Sequence, residues 1–230
     1  MDVSLDLIFA APGEKLDDWR RDLAAAIELA PDHISTYGLT FERGAMFWNR
    51  RQHGELQSAD EELDRAMYLA AMDELLAAGF EHYEVSNFAK PGKRCRHNEA
   101  YWLGDEYYAA GPGAARYLNG VRSTNHRSTT TYINRLVAGK SPLAESEQLS
   151  AQERALEVLV FALRRIEGVR RSWFLQKTGF GLDTLVGILL PPLAEGNLIL
   201  NEPEGIQLTR EGLLISDTIL GRFLRLHRSA

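Results

Sequence analysis

Residues 3–39, VSLDLIFAAPGEKLDDWRRDLAAAIELAPDHISTYGL, decide the fold class. Val3 to Phe9 is short and mostly apolar with β-branched members, and the turn-forming pair Pro12-Gly13 follows at once, so it reads as a buried strand. Leu16, Trp19, Leu23, Ile27 and Ala30 then recur at helical spacing. Asp17 and Asp18 suit the positive end of that helix, and Pro31 stands just beyond its end. His33 to Leu39 is short and apolar again. Strand, helix and strand within about forty residues is the span of a parallel crossover unit.

The pattern continues downstream. Ser58 with Glu61 has the spacing of a capping box, and Leu63, Met67, Ala71 and Leu75 form an apolar stripe that ends at Gly79. Phe80 to Val85 is the next expected strand. Two such units predict a parallel α/β sheet or barrel with an uncovered edge, so an upstream part is expected. From about residue 148 the character changes. Ser150 and Glu153 form a second capping box, followed by a stripe of Leu156, Leu159, Val160, Leu163 and Ile166 before Gly168. A helix is expected from Leu182 to Glu195, kinked by Pro191-Pro192. Asn197–Leu200 and Ile206–Leu208 read as a hairpin, and Thr209 opens a last helix to about Leu224. The expectation is therefore a barrel-derived domain over 1–147 and a small winged-helix-like module over 148–230.

With 45% hydrophobic and 25% charged residues in 230, the composition is that of a soluble globular chain. No apolar run is long enough for a membrane span and no basic, cleavable leader opens the sequence, which predicts a cytoplasmic protein whose membrane contact would be peripheral. One cysteine, Cys95, excludes an intrachain disulfide. Residues 1–89 carry 7 basic and 18 acidic side chains, whereas residues 90–127 carry 7 and 3. So short a basic stretch, interleaved with aromatics, suits a small anionic ligand better than a nucleic-acid backbone. The 10 basic and 9 acidic residues of 148–230 likewise predict no nucleic-acid binding by the winged-helix-like module.

Three stretches hold more polar and glycine content than burial demands. In DLIFAAPGE, residues 6–14, Asp6 stands toward the end of a parallel strand, where α/β folds form their sites. Its carboxylate suits ribose hydroxyls or an amino group, or else serves an ordinary strand-to-helix loop. In RCRHNEAYW, residues 94–102, His97 and Asn98 lie close to Tyr101 and Trp102, combining a candidate metal ligand with flat apolar surfaces. The alternative is a histidine satisfied at a loop-to-core junction. The small-residue loop AAGPGAARY, residues 109–117, follows. Arg94, Arg96 and Arg116 are candidates for pairing with carboxylates. Cys95, between two arginines, is either a thiol of lowered pKa or a structural one.

The strings DLIFAAPGE, HISTYGLTFERG, HYEVSNFAKPG, CRHNEAYW and AAGPGAARY, in this order, resemble the radical S-adenosylmethionine proteins related to oxygen-independent coproporphyrinogen III oxidase, and most closely their HemW-type haem-chaperone branch. The resemblance covers nearly the whole chain. Its most specific motif is H-N-x-x-Y-W, here His97 to Trp102.

The resemblance implies a partial (β/α) barrel with a winged-helix-like C-terminal module. It implies haem as the ligand, with His97 bound to the iron, Asn98, Tyr101 and Trp102 around it, and Arg94, Arg96 and Arg116 on the propionates. It also implies S-adenosylmethionine contacts at Asp6, Thr40 and Ala115. In the full-length family a C-x-x-x-C-x-x-C loop ligates a four-iron, four-sulfur cluster, and that loop and the glycine-rich stretch for the methionine amino group are absent from this chain. The loop at 109–117 departs from the family's commoner glycine-alanine-histidine-serine wording, with Ala115-Arg116 in the last two places. The implied role is delivery of haem to an acceptor protein of unknown identity. The alternative is a coproporphyrinogen oxidase-like enzyme of porphyrin biosynthesis.

Overall fold

The computed structural model describes residues 2–226 except 42, 44, 45 and 58. It divides into two compact units, Met1–Cys95 and Arg96–Ala230. That division falls well before the change of sequence character near 148, because residues 96–147 pack with the C-terminal helices and not as a continuation of the first sheet.

In the first unit, β1 (Ser4–Phe9), α1 (Leu16–Glu28) and β2 (His33–Gly38) form the expected crossover. β1 and β2 pair in parallel from Ser4↔His33 to Phe9↔Gly38. α2 (Met46–Gln52) and α3 (Glu61–Ala77) follow, then β3 (Glu81–Glu84) and β4 (Asn87–Ala89). Ser58 lies outside the described residues. The cap of α3 is Asp60, whose carboxylate accepts from the backbone N–H groups of Glu62 and Leu63 at 2.7 and 3.0 Å. The strand expected at 80–85 is present as β3, but it does not pair with β2. The sheet order is β1-β2-β4-β3, with β4 antiparallel to both of its neighbours. Only a short turn separates β3 from β4, so the chain folds back as a hairpin and inserts β4 where a parallel strand was expected.

The strands' two-residue alternation gives this sheet two different faces. Phe9 packs on Trp19 of α1 and Tyr68 of α3, with ring centroids 5.4 and 6.4 Å apart. Trp19, 1% exposed, also donates its indole N–H to the Met67 carbonyl at 2.9 Å, locking α1 to α3. Ser4, Asp6 and Ile8 alternate with these core positions and stand beside His33, Ser35 and Tyr37 on the opposite face.

The second unit begins with α4 (Arg96–Trp102), then β5 (Ala115–Leu118), β6 (Val121–Asn125), α5 (Thr129–Val137) and β7 (Leu143–Gln148). β5, β6 and β7 form an antiparallel sheet, which apolar periodicity did not announce because β7 is largely exposed and polar. α6 (Ala151–Ala162) starts with the expected capping box: the Ser150 N–H donates to Glu153 and the Glu153 N–H to Ser150 Oγ.

The winged-helix-like module then runs through β8 (Val169–Arg170), α7 (Arg171–Thr178), α8 (Leu182–Val186), α9 (Leu190–Glu195), β9 (Ile199–Glu202) and β10 (Gly205–Leu208). It ends with α10 (Arg210–Leu214) and α11 (Ser216–Arg225). The helix expected over 182–195 is broken at Gly187–Leu189 by a 3₁₀ turn, not at the prolines. Pro191 falls in the first turn of α9, where a missing N–H costs nothing. The last helix is likewise two, since Ile215 leaves helical geometry at φ −123°. Phe174 and Phe223 are fully buried in the core of this unit.

Candidate haem-ligand helix and polar sheet face

α4 carries the H-N-x-x-Y-W segment, and its periodicity separates residues that are adjacent in sequence. His97 and Tyr101 are one turn apart on the same side. The imidazole is exposed and stands edge-on to the Tyr101 ring, with centroids 4.9 Å apart and planes at 85°. Tyr101 meets Tyr107 at 4.4 Å, and Tyr107 meets Tyr117 at 6.4 Å. Burial, and after it the neighbouring Tyr107, raise the Tyr101 phenol above its ordinary pKa. The guanidinium of Arg154 caps the Tyr117 ring at 3.9 Å. Beyond it, Tyr117, Arg154 and Lys177 help to line a cleft of about 410 Å³.

Trp102 is roughly 140° around the helix from His97 and turns elsewhere. Its ring packs on Phe161 at 6.4 Å beneath the Arg164 guanidinium, with its indole N–H buried and unbonded. It therefore does not share the His97 face, as the motif had suggested. Among the described residues no hydrogen bond joins Asn98 to the imidazole, so the ring beside His97 is set by Tyr101. Arg96 is exposed on α4, and Arg116 is half-buried on β5 opposite Ser123. Arg94 belongs to the first unit, where it is paired with Glu81 at 3.2 Å and lies over the Tyr83 ring.

In the first unit the polar sheet face carries two hydrogen-bonded rungs. Ser35 donates to the Asn87 side-chain carbonyl at 3.0 Å, and the Asn87 amide donates to Glu84, which is fully buried and also accepts from the Ser86 N–H. His33 lies between Ser4 Oγ, 3.0 Å from Nδ1, and the Tyr83 hydroxyl, 2.8 Å from Nε2. Asp6 stands opposite Ser35 and is exposed, as is Thr40, whose hydroxyl donates to the Gly38 carbonyl at 3.4 Å. Ala115, the third residue expected at S-adenosylmethionine, is exposed on β5 of the second unit.

Cys95 is half-buried, and its backbone N–H donates to the Tyr83 hydroxyl at 3.3 Å. A four-iron cluster takes three or four thiolates, so one cysteine does not meet its donor requirement. Among the described residues no group of three His, Cys, Asp or Glu side chains is arranged to hold a metal ion. No described helix is long and apolar enough to cross a membrane.

Tyr117 closes the small-residue stretch 109–117 that the sequence singles out. Tyr107 and Arg154 lie outside every such stretch, and ring packing, a backbone bridge and a cation over a ring join them to His97.

No protein-family model matches the chain. It is 34% identical over 222 residues to the haem chaperone HemW of Bacillus subtilis, covering 96% of this chain and 59% of that protein. It is 39% identical over 167 residues to HemW of Mycobacterium tuberculosis (strain H37Rv), covering 73% and 43%. A zebrafish (Danio rerio) protein, radical S-adenosyl methionine domain-containing protein 1, mitochondrial, is 31% identical over 233 residues. Among solved structures, the radical SAM enzyme coproporphyrinogen III oxidase (HemN) from Escherichia coli superposes with a TM-score of 0.78 at 17% identity, over 96% of this chain and 54% of that one. The chain thus spans 59% of the length of the Bacillus subtilis protein, 43% of the Mycobacterium tuberculosis one and 54% of the Escherichia coli enzyme.

Proposed function

Since the chain belongs to the HemW/HemN-like radical S-adenosylmethionine family, we propose that it acts as the haem-binding part of a haem chaperone, holding haem through His97 for transfer to an acceptor protein. The observation that carries this reading is the exposed imidazole of His97 on α4, edge-on to Tyr101 and within the H-N-x-x-Y-W segment. A neutral imidazole is a usual axial ligand of haem iron, and an exposed one fits that position. Tyr101 offers an aromatic surface beside it. Arg96 and Arg116 supply cations suited to propionates, whereas Arg94 is engaged by Glu81.

S-adenosylmethionine contacts are assigned residue by residue to Asp6, Thr40 and Ala115. The thiolates for a cluster do not come from this chain. Radical oxidation of coproporphyrinogen is the alternative reading, and the H-N-x-x-Y-W segment, His97 to Trp102, favours the chaperone. The protein is proposed to work in the cytoplasm, with no nucleic-acid partner.

The test is a haem titration of the parent and of alanine variants at His33, His53, His82, His97, His126 and His227, followed by the Soret band. His97→Ala is expected to lose the band while the other folded variants keep it. Parent-like binding by His97→Ala sinks the assignment, and retention of the band by every variant identifies the binding as nonspecific.

A further inference from the structure

An exposed side chain on a two-turn helix samples several rotamers, and a ligand that needs one of them must order it on binding. His97 is restrained from one side by Tyr101, one helical turn on. Tyr101 is in turn backed by the tilted ring of Tyr107 at 4.4 Å. Tyr107 follows the helix in a loop, yet its backbone is tied down: its N–H donates to the Tyr117 carbonyl at 2.9 Å and its carbonyl accepts from the Tyr117 N–H at 3.0 Å. Tyr117 is 8% exposed and lies under Arg154. Arg154 itself donates to the Gly104 carbonyl at 2.7 Å and to Glu157 at 2.9 Å. A row of contacts therefore runs from a surface imidazole to α6, and Tyr107 is the member that touches both the α4 ring and the sheet.

We propose that Tyr107 is a positioning residue for His97: by holding the Tyr101 ring in place, it presents the imidazole in one orientation before a ligand arrives. This rests on the reading of His97 as the haem ligand. The device works through ring packing, so it needs the aromatic ring of Tyr107 and not its hydroxyl. Outer groups that orient a ligating histidine raise affinity by reducing what binding must order. Trp102, the more conspicuous aromatic of the motif, is engaged with Phe161 and Arg164 and does not serve this purpose.

The test compares the parent with Tyr107→Phe, Tyr107→Leu and Tyr107→Met. Met fills the site with a flexible chain and takes over the measurement if the Leu variant fails to fold. In the haem-free chain the His97 Hε1 resonance, assigned by its loss in His97→Ala, is expected to carry a ring-current displacement from Tyr101. Tyr107→Phe should keep that displacement, while Leu and Met should move the resonance toward that of exposed His53. On haem titration the Leu and Met variants should bind about three- to tenfold more weakly with the Soret maximum unmoved, since the ligand is retained and only its ordering is lost. An unmoved Hε1 resonance in the Leu or Met variant, or parent-like haem affinity where His97→Ala abolishes binding, overturns the proposal. If His97→Ala binds haem like the parent, the ligand assignment is what fails, and the resonance still reports whether Tyr107 positions the ring.

Discussion

The Nε2 atom of His33 lies 2.8 Å from the hydroxyl of Tyr83, across a span of 50 residues, and this contact closes the polar face of the first sheet. His33 is 7% exposed. Burial holds its pKa below the usual histidine value, with the Asp6 carboxylate pulling weakly the other way.

A pH dependence follows. The unfolded chain takes up a proton at His33 near the ordinary value of about 6.5, whereas the folded chain takes it up only at lower pH. The unfolded state therefore binds more protons as pH falls. The neutral ring's contribution is fully present above about pH 6.5 and is lost on acidification toward the depressed folded value. Urea midpoints at about pH 7.5 and about pH 5 should drop further in the parent than in His33→Gln, which keeps polar groups but does not titrate. Equal drops would show that His33 is not the titrating group.

Trp19 should anchor the first unit. Trp19→Ala removes a buried ring and the bond to the Met67 carbonyl, and is expected to destabilise by about 3–5 kcal/mol. Trp19→Phe should cost less, since it keeps most of the packing. Urea unfolding of both measures this, and a loss below about 1 kcal/mol in the Ala variant would contradict the packing described.

Two glycines in the winged-helix-like module should respond to alanine with opposite signs. A Cβ at Gly212 would collide with the backbone carbonyl of Leu198, which cannot swing aside as a side chain can. Gly212→Ala should therefore destabilise by about 1–3 kcal/mol or more. At Gly221, inside α11, the nearest atom is the end of the Arg225 side chain at 3.4 Å. Gly221→Ala should stabilise by up to about 1 kcal/mol through helix propensity. Thermal unfolding of the two variants separates them, and a Gly212→Ala variant as stable as the parent would rule out the close approach of Leu198 to Gly212.

Anaerobic reconstitution with iron and sulfide should leave the monomeric chain without a stoichiometric four-iron cluster, because Cys95 is its one cysteine. Iron and sulfide analysis after gel filtration reads the outcome. About four irons per monomer would refute it; a cluster shared between chains would instead elute at a higher mass.

By itself the sequence determined what depends on short-range chemistry. The short apolar run Val3–Phe9 and the helical stripe from Leu16 specified a strand, a helix and a parallel partner, and the Ser150–Glu153 spacing specified a helix start, because periodicity and caps act over a few residues; that β1 is buried only at Phe9, and not along its length as expected, came from the structure. It also determined the shortage of cluster thiolates, which is a matter of counting. Only the tertiary structure decided that β4 enters the sheet between β2 and β3, that half-buried Trp102 packs on Phe161 beneath Arg164 while His97 stays exposed, and that Arg94 is taken by Glu81. It also decided that Tyr107, Tyr117 and Arg154 back the motif. These outcomes join residues about ten to sixty positions apart, and packing, not local propensity, selects them: a helix period says which side chains share a face, but which face is buried depends on what the rest of the chain brings against it.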